Sequence, residues 1–101
     1  MKNIVTEYLN YIKEMCGFAA RTGIKHKRIC GVWKSFLEGR NRLIPDVVAQ
    51  DLLDFIECRV KQVKRSTLVG ELFVIRMLYT WLYDFGKIES NLSASLLQTY
   101  L

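Results

Sequence analysis

Residues 66–86 have the sequence STLVGELFVIRMLYTWLYDFG, and apolar side chains would cover most of the circumference of this stretch in a helix. A narrow polar row, Arg76, Thr80 and Asp84, recurs every four residues and is expected to form its one exposed edge. A helix that meets water along a single row is typical of the centre of a bundle. The segment therefore predicts an all-helical fold built around it.

Amphipathic patterns on either side of this segment predict four further helices. The first covers residues 3–16, the second runs from a cap at Thr22 to about Leu37, the third covers residues 49–62, and a short fifth covers residues 92–100. No stretch shows the alternation of apolar and polar residues that is typical of a strand. The sequence thus predicts a compact all-α bundle of four to five helices.

Capping residues and glycines mark the expected helix ends and contacts. Ser66 is expected to cap the fourth helix, and Gly86 to follow its end. Gly39 is expected to end the second helix in a left-handed conformation. Gly31 and Gly70 lie inside predicted helices, where glycine costs about 1 kcal/mol relative to alanine. We therefore expect close packing of helices at both, the alternative being that the backbone there comes close to a ligand.

The side chains of the third helix are expected to divide into an inward and a wet face. The inward residues are Leu52, Leu53, Phe55, Ile56 and Val60, and the wet ones are Gln50, Asp51, Asp54, Glu57 and Lys61. Carboxylates on a wet face lack the apolar pocket that raises a pKa for general acid–base chemistry. They are expected to act as solubilising charges.

The aromatic residues Trp33, Phe73, Tyr79 and Trp81 of the second and fourth helices are expected in the core.

Length and composition limit the classes of function. The chain has 101 residues, of which 50% are apolar and 25% charged, enough for one domain over residues 1–101 but not for a large catalytic scaffold. No apolar run approaches the length of about 20 residues that a membrane span requires, and no secretion signal is present, so a cytoplasmic location is expected. None of the six glycines has the spacing of a nucleotide-binding loop. We expect no cofactor and no enzymatic activity in this chain.

The cysteines and the single histidine argue against a metal site. Cys16, Cys30 and Cys58 form no CxxC pair, and His26 is the only imidazole, whereas a structural zinc ion takes four ligands. Cysteines of this kind are usually buried and unreactive. We expect reduced, packed thiols and no metal.

Basic charge is concentrated in two parts of the chain. Residues 21–42 contain seven basic residues and one acid, and a second cluster lies at residues 59–65, within a net charge of +5. Such an uneven distribution of positive charge along the chain favours a polyanionic partner. The alternative, on charge alone, is a solvated helix face.

Two predicted helices begin with basic and hydroxyl residues together. These are Arg21-Thr22 at the second helix and Lys64-Arg65-Ser66-Thr67 at the fourth. The free N–H groups and positive dipole of a helix start, beside arginine and a hydroxyl, suit a nucleic-acid phosphate. The alternative for each is a plain cap with a neighbouring cation.

The order of these elements resembles a known family. Residues 66–93 are similar to the end of the N-terminal core-binding, SAM-like domain of tyrosine recombinases, the phage-integrase group, with Ile75-Arg76, Gly86, Ile88 and Asn91 in matching places. Residues 17–37 and 47–56 resemble its second helix and the entry to its third. The resemblance implies a SAM-like bundle that forms half of a clamp on double-stranded DNA.

In that family the second and fourth helices face the major groove, and a separate C-terminal catalytic domain carries the arginines, histidine and tyrosine nucleophile. The resemblance implies that this chain lacks the catalytic domain, serves DNA integration or recombination in the nucleoid, and meets other recombinase protomers on DNA. The DNA-binding residues expected from the helix starts and the resemblance are Arg21, Thr22, Lys25, His26, Lys27, Arg28, Lys64, Arg65, Ser66, Thr67 and Arg76. The alternative is a helical protein–protein interaction module that binds no nucleic acid.

Overall fold

The computed structural model describes residues 4–15, 17 and 20–89. This part of the chain forms α1, Ile4–Glu14; α2, Ala20–Glu38; a 3-10 turn, Ile44–Asp46; α3, Ala49–Val60; and α4, Arg65–Asp84. The described residues contain no strand, so the prediction of a compact all-α bundle is confirmed. The predicted fifth helix, residues 92–100, lies outside the described residues.

Two helices start earlier than their predicted caps. α2 begins at Ala20, so Thr22 lies inside its first turn, and α4 begins at Arg65 with Lys64 as its N-cap, so Ser66 also lies inside the first turn. The prediction that the two hydroxyl residues are caps is therefore wrong. Alanine and arginine have higher helix propensity than serine and threonine, which favours the longer helices.

The ends of the helices follow the sequence signals in part. Gly86 has a φ of +71° directly after the C-cap of α4, as predicted. Gly39 does not adopt a left-handed conformation; Asn41 does, with a φ of 56°. The chain instead continues past α2 in hydrogen-bonded turns, in which Arg42 N–H donates to the Leu37 carbonyl at 2.9 Å. Asparagine is one of the few residues that enter this region readily.

α4 lies at the centre of the bundle, as its apolar circumference predicts. It packs against α2 and α3, and Trp81 also contacts Tyr8 and Tyr11 of α1. Its buried residues are Leu68, Glu71, Leu72, Val74, Ile75, Leu78, Tyr79, Trp81 and Leu82. The predicted polar edge is confirmed at Thr80 and Asp84, which are exposed. The prediction that Phe73 belongs to the core is wrong, since its side chain is 52% exposed.

Trp33 joins three elements in the middle of this core. Its ring is fully buried and meets Phe55 of α3 edge-on, with the ring centroids 5.0 Å apart. Its Nε1 donates to the hydroxyl of Tyr79 in α4 at 3.0 Å, and that hydroxyl donates to the carbonyl of Ile44 at 2.7 Å. Helix α2, helix α4 and the 3-10 turn are therefore fixed to one another by hydrogen bonds as well as by packing.

α3 is rotated relative to its predicted faces. Leu52 and Phe55 are buried as expected, but Leu53 and Val60 are 47% and 53% exposed. Asp51, expected in water, is fully buried. The apolar residues of α3 surround the helix too widely to define one inward face by themselves. The hydrogen bonds that Asp51 accepts from Arg40 and from the Val48 N–H fix the orientation instead.

His26 is a core residue. It is 3% exposed, and its Nδ1 lies 3.0 Å from the hydroxyl of Tyr8 in α1. Burial, with a smaller contribution from the charge of Lys25, lowers the pKa of His26 below its ordinary value. The imidazole, expected to contact DNA, therefore lies inside the bundle and not at its surface.

The two helix-interior glycines differ in their surroundings. At Gly31 a Cβ atom would meet no heavy atom within 4 Å, so the predicted close packing is absent there. At Gly70 a Cβ atom would lie 3.6 Å from Nζ of Lys25, so the end of this α2 side chain lies against α4 at an ordinary contact distance. The predicted close packing is therefore wrong for Gly31, and at Gly70 the neighbour is the end of a lysine side chain.

Replacing Gly31 by alanine is expected to stabilise the protein. Alanine has the higher helix propensity and its methyl group finds open space, so the free energy of unfolding should rise by about 0.5–1 kcal/mol. Urea unfolding followed by circular dichroism measures the change. Gly86→Ala is the control: at a φ of +71° it should destabilise by about 1–2 kcal/mol, and equal effects of the two substitutions would contradict this account.

Acid is expected to destabilise the fold through His26. Because its pKa is lowered in the folded state, the unfolded chain binds the proton more tightly. The stabilising contribution of neutral His26 is thus complete above the ordinary pKa of 6.5 and is lost as the pH falls below it. Thermal unfolding between about pH 7.5 and 5.5 should show this loss. His26→Gln should flatten the profile, and an unchanged slope would refute the assignment.

Candidate nucleic-acid interface

The starts of α2 and α4 lie beside each other. Lys25 is five residues into α2, and its Nζ lies 3.6 Å from the position of a Cβ at Gly70, which is five residues into α4. Five residues span about 7.5 Å along a helix. The ammonium group of Lys25 is therefore within about 10 Å of the first turn of α4.

A second contact shows how the two helices are oriented. Trp33 and Tyr79 meet further along both helices than Lys25 and Gly70 do. Contacts thus follow in the same order along α2 and α4. The two N-terminal turns accordingly lie on the same side of the point where the helices cross.

The side chains around these two starts are basic and exposed. Arg21, Lys25 and Arg28 follow one side of α2, and Lys64 and Arg65 open α4. We call this group, together with the exposed hydroxyl residues Ser66 and Thr67, the α2–α4 cationic surface. Within the described part of the chain, Arg21, Lys25, Arg28 and Lys64 form no ion pair with a carboxylate, so their charge faces water.

Four of the residues expected at this surface are not part of it. His26 is buried, and Thr22 is half-buried in the first turn of α2. Lys27 points away from Lys25, since residues two apart on a helix differ by about 200° in direction, and it lines a groove between α1 and α2. Arg76, half-buried, lies about 16 Å along α4 from the helix start.

Two cations of the first basic cluster are neutralised by carboxylates of the protein itself. Arg40 Nε donates to Oδ1 of Asp51 at 3.0 Å, and its Nη2 lies 2.7 Å from Oδ2 of Asp54. Arg42 Nε lies 3.1 Å from Oδ2 of Asp51. These arginines follow α2 in sequence but do not add to the α2–α4 cationic surface, because their charge is balanced at the start of α3.

Asp51 is the central carboxylate of this group of charges. Its Oδ2 accepts a hydrogen bond from the backbone N–H of Val48, the N-cap residue of α3, at 3.0 Å, while its Oδ1 accepts from Arg40. This role differs from the solubilising one expected for Asp51 on a wet face. The available signal was its place at the third position of α3, from which an acidic side chain can reach back to the N-cap N–H.

A buried ion pair also removes Arg59 from the second basic cluster. Its Nε donates to Oε1 of Glu71 at 2.9 Å, and its Nη2 bonds the other oxygen, a bidentate arrangement. Glu71 is 1% exposed within α4. This hydrogen-bonded carboxylate holds the pKa of Arg59 above its ordinary value. The pair joins α3 to α4 and leaves Lys61, Lys64 and Arg65 as the exposed cations of that cluster.

The start of α4 has no side-chain cap. Lys64 occupies the N-cap position without a capping hydrogen bond from its side chain. The first N–H groups of a helix have no partner inside the helix, and the helix dipole makes this end positive. An anion at this end would meet those N–H groups together with the side chains of Lys64 and Ser66.

The two thiols of the described residues differ in their exposure. Burial raises the pKa of the Cys30 thiol to about 12, so it stays protonated. Cys58 is exposed, so the expectation of packed thiols is wrong there, and Cys16 lies outside the described residues.

Residues 4–15, 17 and 20–89 contain no group of three or more His, Cys, Asp or Glu residues that could hold a metal ion. Among these residues no helix has the length and apolarity needed to cross a membrane.

The chain matches no protein-family model, no curated protein and no solved structure. The assignment of a function therefore depends on the geometry and charge of the described residues.

Asp51→Asn is expected to destabilise the protein by about 2 kcal/mol, because the substitution removes the buried charge that holds Arg40, Arg42 and the Val48 N–H. Chemical unfolding measures the loss. Asp54→Asn is the matched control: Asp54 lies on the surface side of the same cluster, so its replacement should cost much less. A larger loss for Asp54→Asn would contradict the central role of Asp51.

Proposed function

We propose that this protein binds double-stranded DNA through the α2–α4 cationic surface. The observation that carries the proposal is the position of Lys25 beside Gly70, which brings the basic turns of α2 next to the start of α4. Exposed lysine and arginine side chains without internal carboxylate partners are suited to neutralising phosphates. Because the contacts are to the backbone of DNA, the proposed binding has little dependence on sequence.

Each part of the surface has a distinct role in the proposed complex. Arg21, Lys25 and Arg28 neutralise phosphates along α2. The N-terminal turn of α4 and the hydroxyl groups of Ser66 and Thr67 hold one phosphate and set the orientation of the protein on the duplex.

The resemblance to tyrosine recombinases supports a finer proposal. The chain would serve as the core-binding domain of a site-specific recombinase or integrase, with catalysis supplied by a separate domain and with other protomers alongside it on DNA in the nucleoid. The all-helical architecture and the adjacency of α2 and α4 are compatible with this role. The sequence similarity of residues 66–93 is its main support.

One observation favours the alternative of a helical protein–protein interaction module. Leu53 and Val60 are exposed on α3, and half-buried Ile56 lies between them on the same side of the helix. An apolar row of this kind is typical of a contact with another protein. This row lies on a different helix from the α2–α4 cationic surface, so a protein contact on α3 is also compatible with DNA binding.

Charge reversal at two sites tests DNA binding. Fluorescence anisotropy with a labelled duplex should show a logarithmic salt dependence with a slope of about −3.5 if Arg21, Lys25, Arg28 and Lys64 each contact a phosphate. The double variant Lys25→Glu/Lys64→Glu should lower the affinity at least about tenfold and reduce the slope by about 2 units. The loss should be similar for duplexes of unrelated sequence.

Lys13→Glu together with Lys34→Glu is the matched control, because it changes the net charge equally at exposed lysines outside the α2–α4 cationic surface. Equal losses in the two double variants would show that net charge alone attracts DNA and would refute the proposed surface. Absence of binding by the unaltered protein at low salt would refute DNA binding altogether. A stable oligomer that is indifferent to DNA would favour the alternative function.

A further inference from the structure

A groove between α1 and α2 lies apart from the proposed DNA surface. It has a volume of about 330 Å³, and its walls include Leu9, Ile12 and Ile24. Ile12 is buried at the floor, whereas Ile24 is 70% exposed at the edge. The groove is open on one side, so an apolar group can enter it from solvent and replace water on these side chains.

The two walls of the groove carry lysines and no acid. Lys13 stands on the α1 wall and Lys27 on the α2 wall, and both are exposed. Neither forms an ion pair with any carboxylate of the described residues. A group that brings apolar surface to the floor and negative charge to the rim would therefore satisfy both features.

Small residues leave room along the α2 wall. Ala20 and Gly23 line the groove, and a Cβ at Gly23 would meet no heavy atom within 4 Å. A glycine inside a helix destabilises it by about 1 kcal/mol relative to alanine, and no internal contact of Gly23 accounts for its presence. The missing side chain deepens the groove and lets another backbone approach α2.

From these features we infer that the groove binds an acidic, amphipathic segment of a partner protein. One bulky apolar side chain of that segment fills the space between Leu9, Ile12 and Ile24, and flanking carboxylates pair with Lys13 and Lys27. The volume is at the lower limit of small-molecule sites, which enclose most of their ligand, whereas this groove is open along its length. An amphipathic helix laid in a groove presents apolar anchors with charged neighbours in this manner.

This role separates Lys27 from the DNA surface. Lys25 faces α4 while Lys27 faces α1, so one helix serves two partners with opposite sides. The groove and the α2–α4 cationic surface therefore differ in ligand: the groove needs apolar side chains as well as negative charge, and the cationic surface needs negative charge alone. The inference does not depend on the proposed function.

The test uses the full chain labelled with ¹⁵N and a synthetic helical peptide of about four turns, with leucine on one face and glutamate flanking it. Chemical-shift changes should concentrate at α1 and the α1-facing side of α2. A matched peptide with glutamine in place of glutamate should bind at least about fivefold more weakly, as should one with alanine in place of leucine. Equal affinity for the glutamate and glutamine peptides, or shift changes centred on α3 or α4, would overturn the inference.

Two variants keep the test independent of folding defects. Gly23→Leu projects an apolar side chain into the groove from a position where a Cβ meets no heavy atom within 4 Å, so it should abolish peptide binding. Leucine has a higher helix propensity than glycine, so the thermal midpoint should not be lowered. Lys27→Glu should lose affinity for the glutamate peptide at least about fivefold and regain it with a lysine-flanked peptide. Unimpaired peptide binding by Gly23→Leu would refute the site.

Lys25→Glu is the control that distinguishes the two surfaces. It removes a cation from the α4-facing side of the same helix, so it should weaken DNA binding and leave peptide affinity unchanged. Gly23→Leu should do the reverse. Loss of peptide binding in Lys25→Glu equal to that in Lys27→Glu would show a diffuse attraction of acidic peptides and would overturn the inference.

Discussion

The hydroxyl group of Tyr79 is the point on which the arrangement of the helices depends. It accepts a hydrogen bond from Trp33 Nε1 and donates one to the carbonyl of Ile44, in a setting from which water is excluded. Burial raises the pKa of Tyr79, so the hydroxyl keeps the proton that it donates. A displacement of α4 along α2 would leave buried polar groups unpaired, which is costly. The same register keeps Lys25 beside Gly70 and brings the basic turns together.

Apolar spacing was sufficient to predict the class of fold and the central position of α4. It did not suffice for the orientation of α3, because apolar residues lie on several sides of that helix. An acidic residue such as Asp51 is expected in water unless its partners are known. The arginines that enclose Asp51 come from the preceding loop, at a place that only the folded chain defines. The same holds for His26, whose partner Tyr8 is 18 residues away in sequence.

The proposed interface could be predicted only in outline. The sequence shows which segments are basic, but neighbouring residues on one helix point in different directions, and this separates Lys25 from Lys27. It also does not show which cations are neutralised internally, as Arg59 is by Glu71. The adjacency of the two helix starts is inferred from the contact of Lys25 with Gly70 in the folded chain. In the sequence, the one indication of this contact is a glycine inside a predicted helix. Cations at helix starts are informative only when their internal partners are known.

The internal neutralisation of Arg40 and Arg42 gives the molecule an uneven electric field. The loop after α2 and the start of α3 form a region where positive and negative charges cancel at short range, while the exposed cations lie elsewhere. Such separation creates a dipole moment, and the field of a polyanion exerts a torque on it within about a Debye length. In the proposed encounter with DNA, this torque would turn the positive side of the protein toward the duplex and increase the share of encounters that lead to binding.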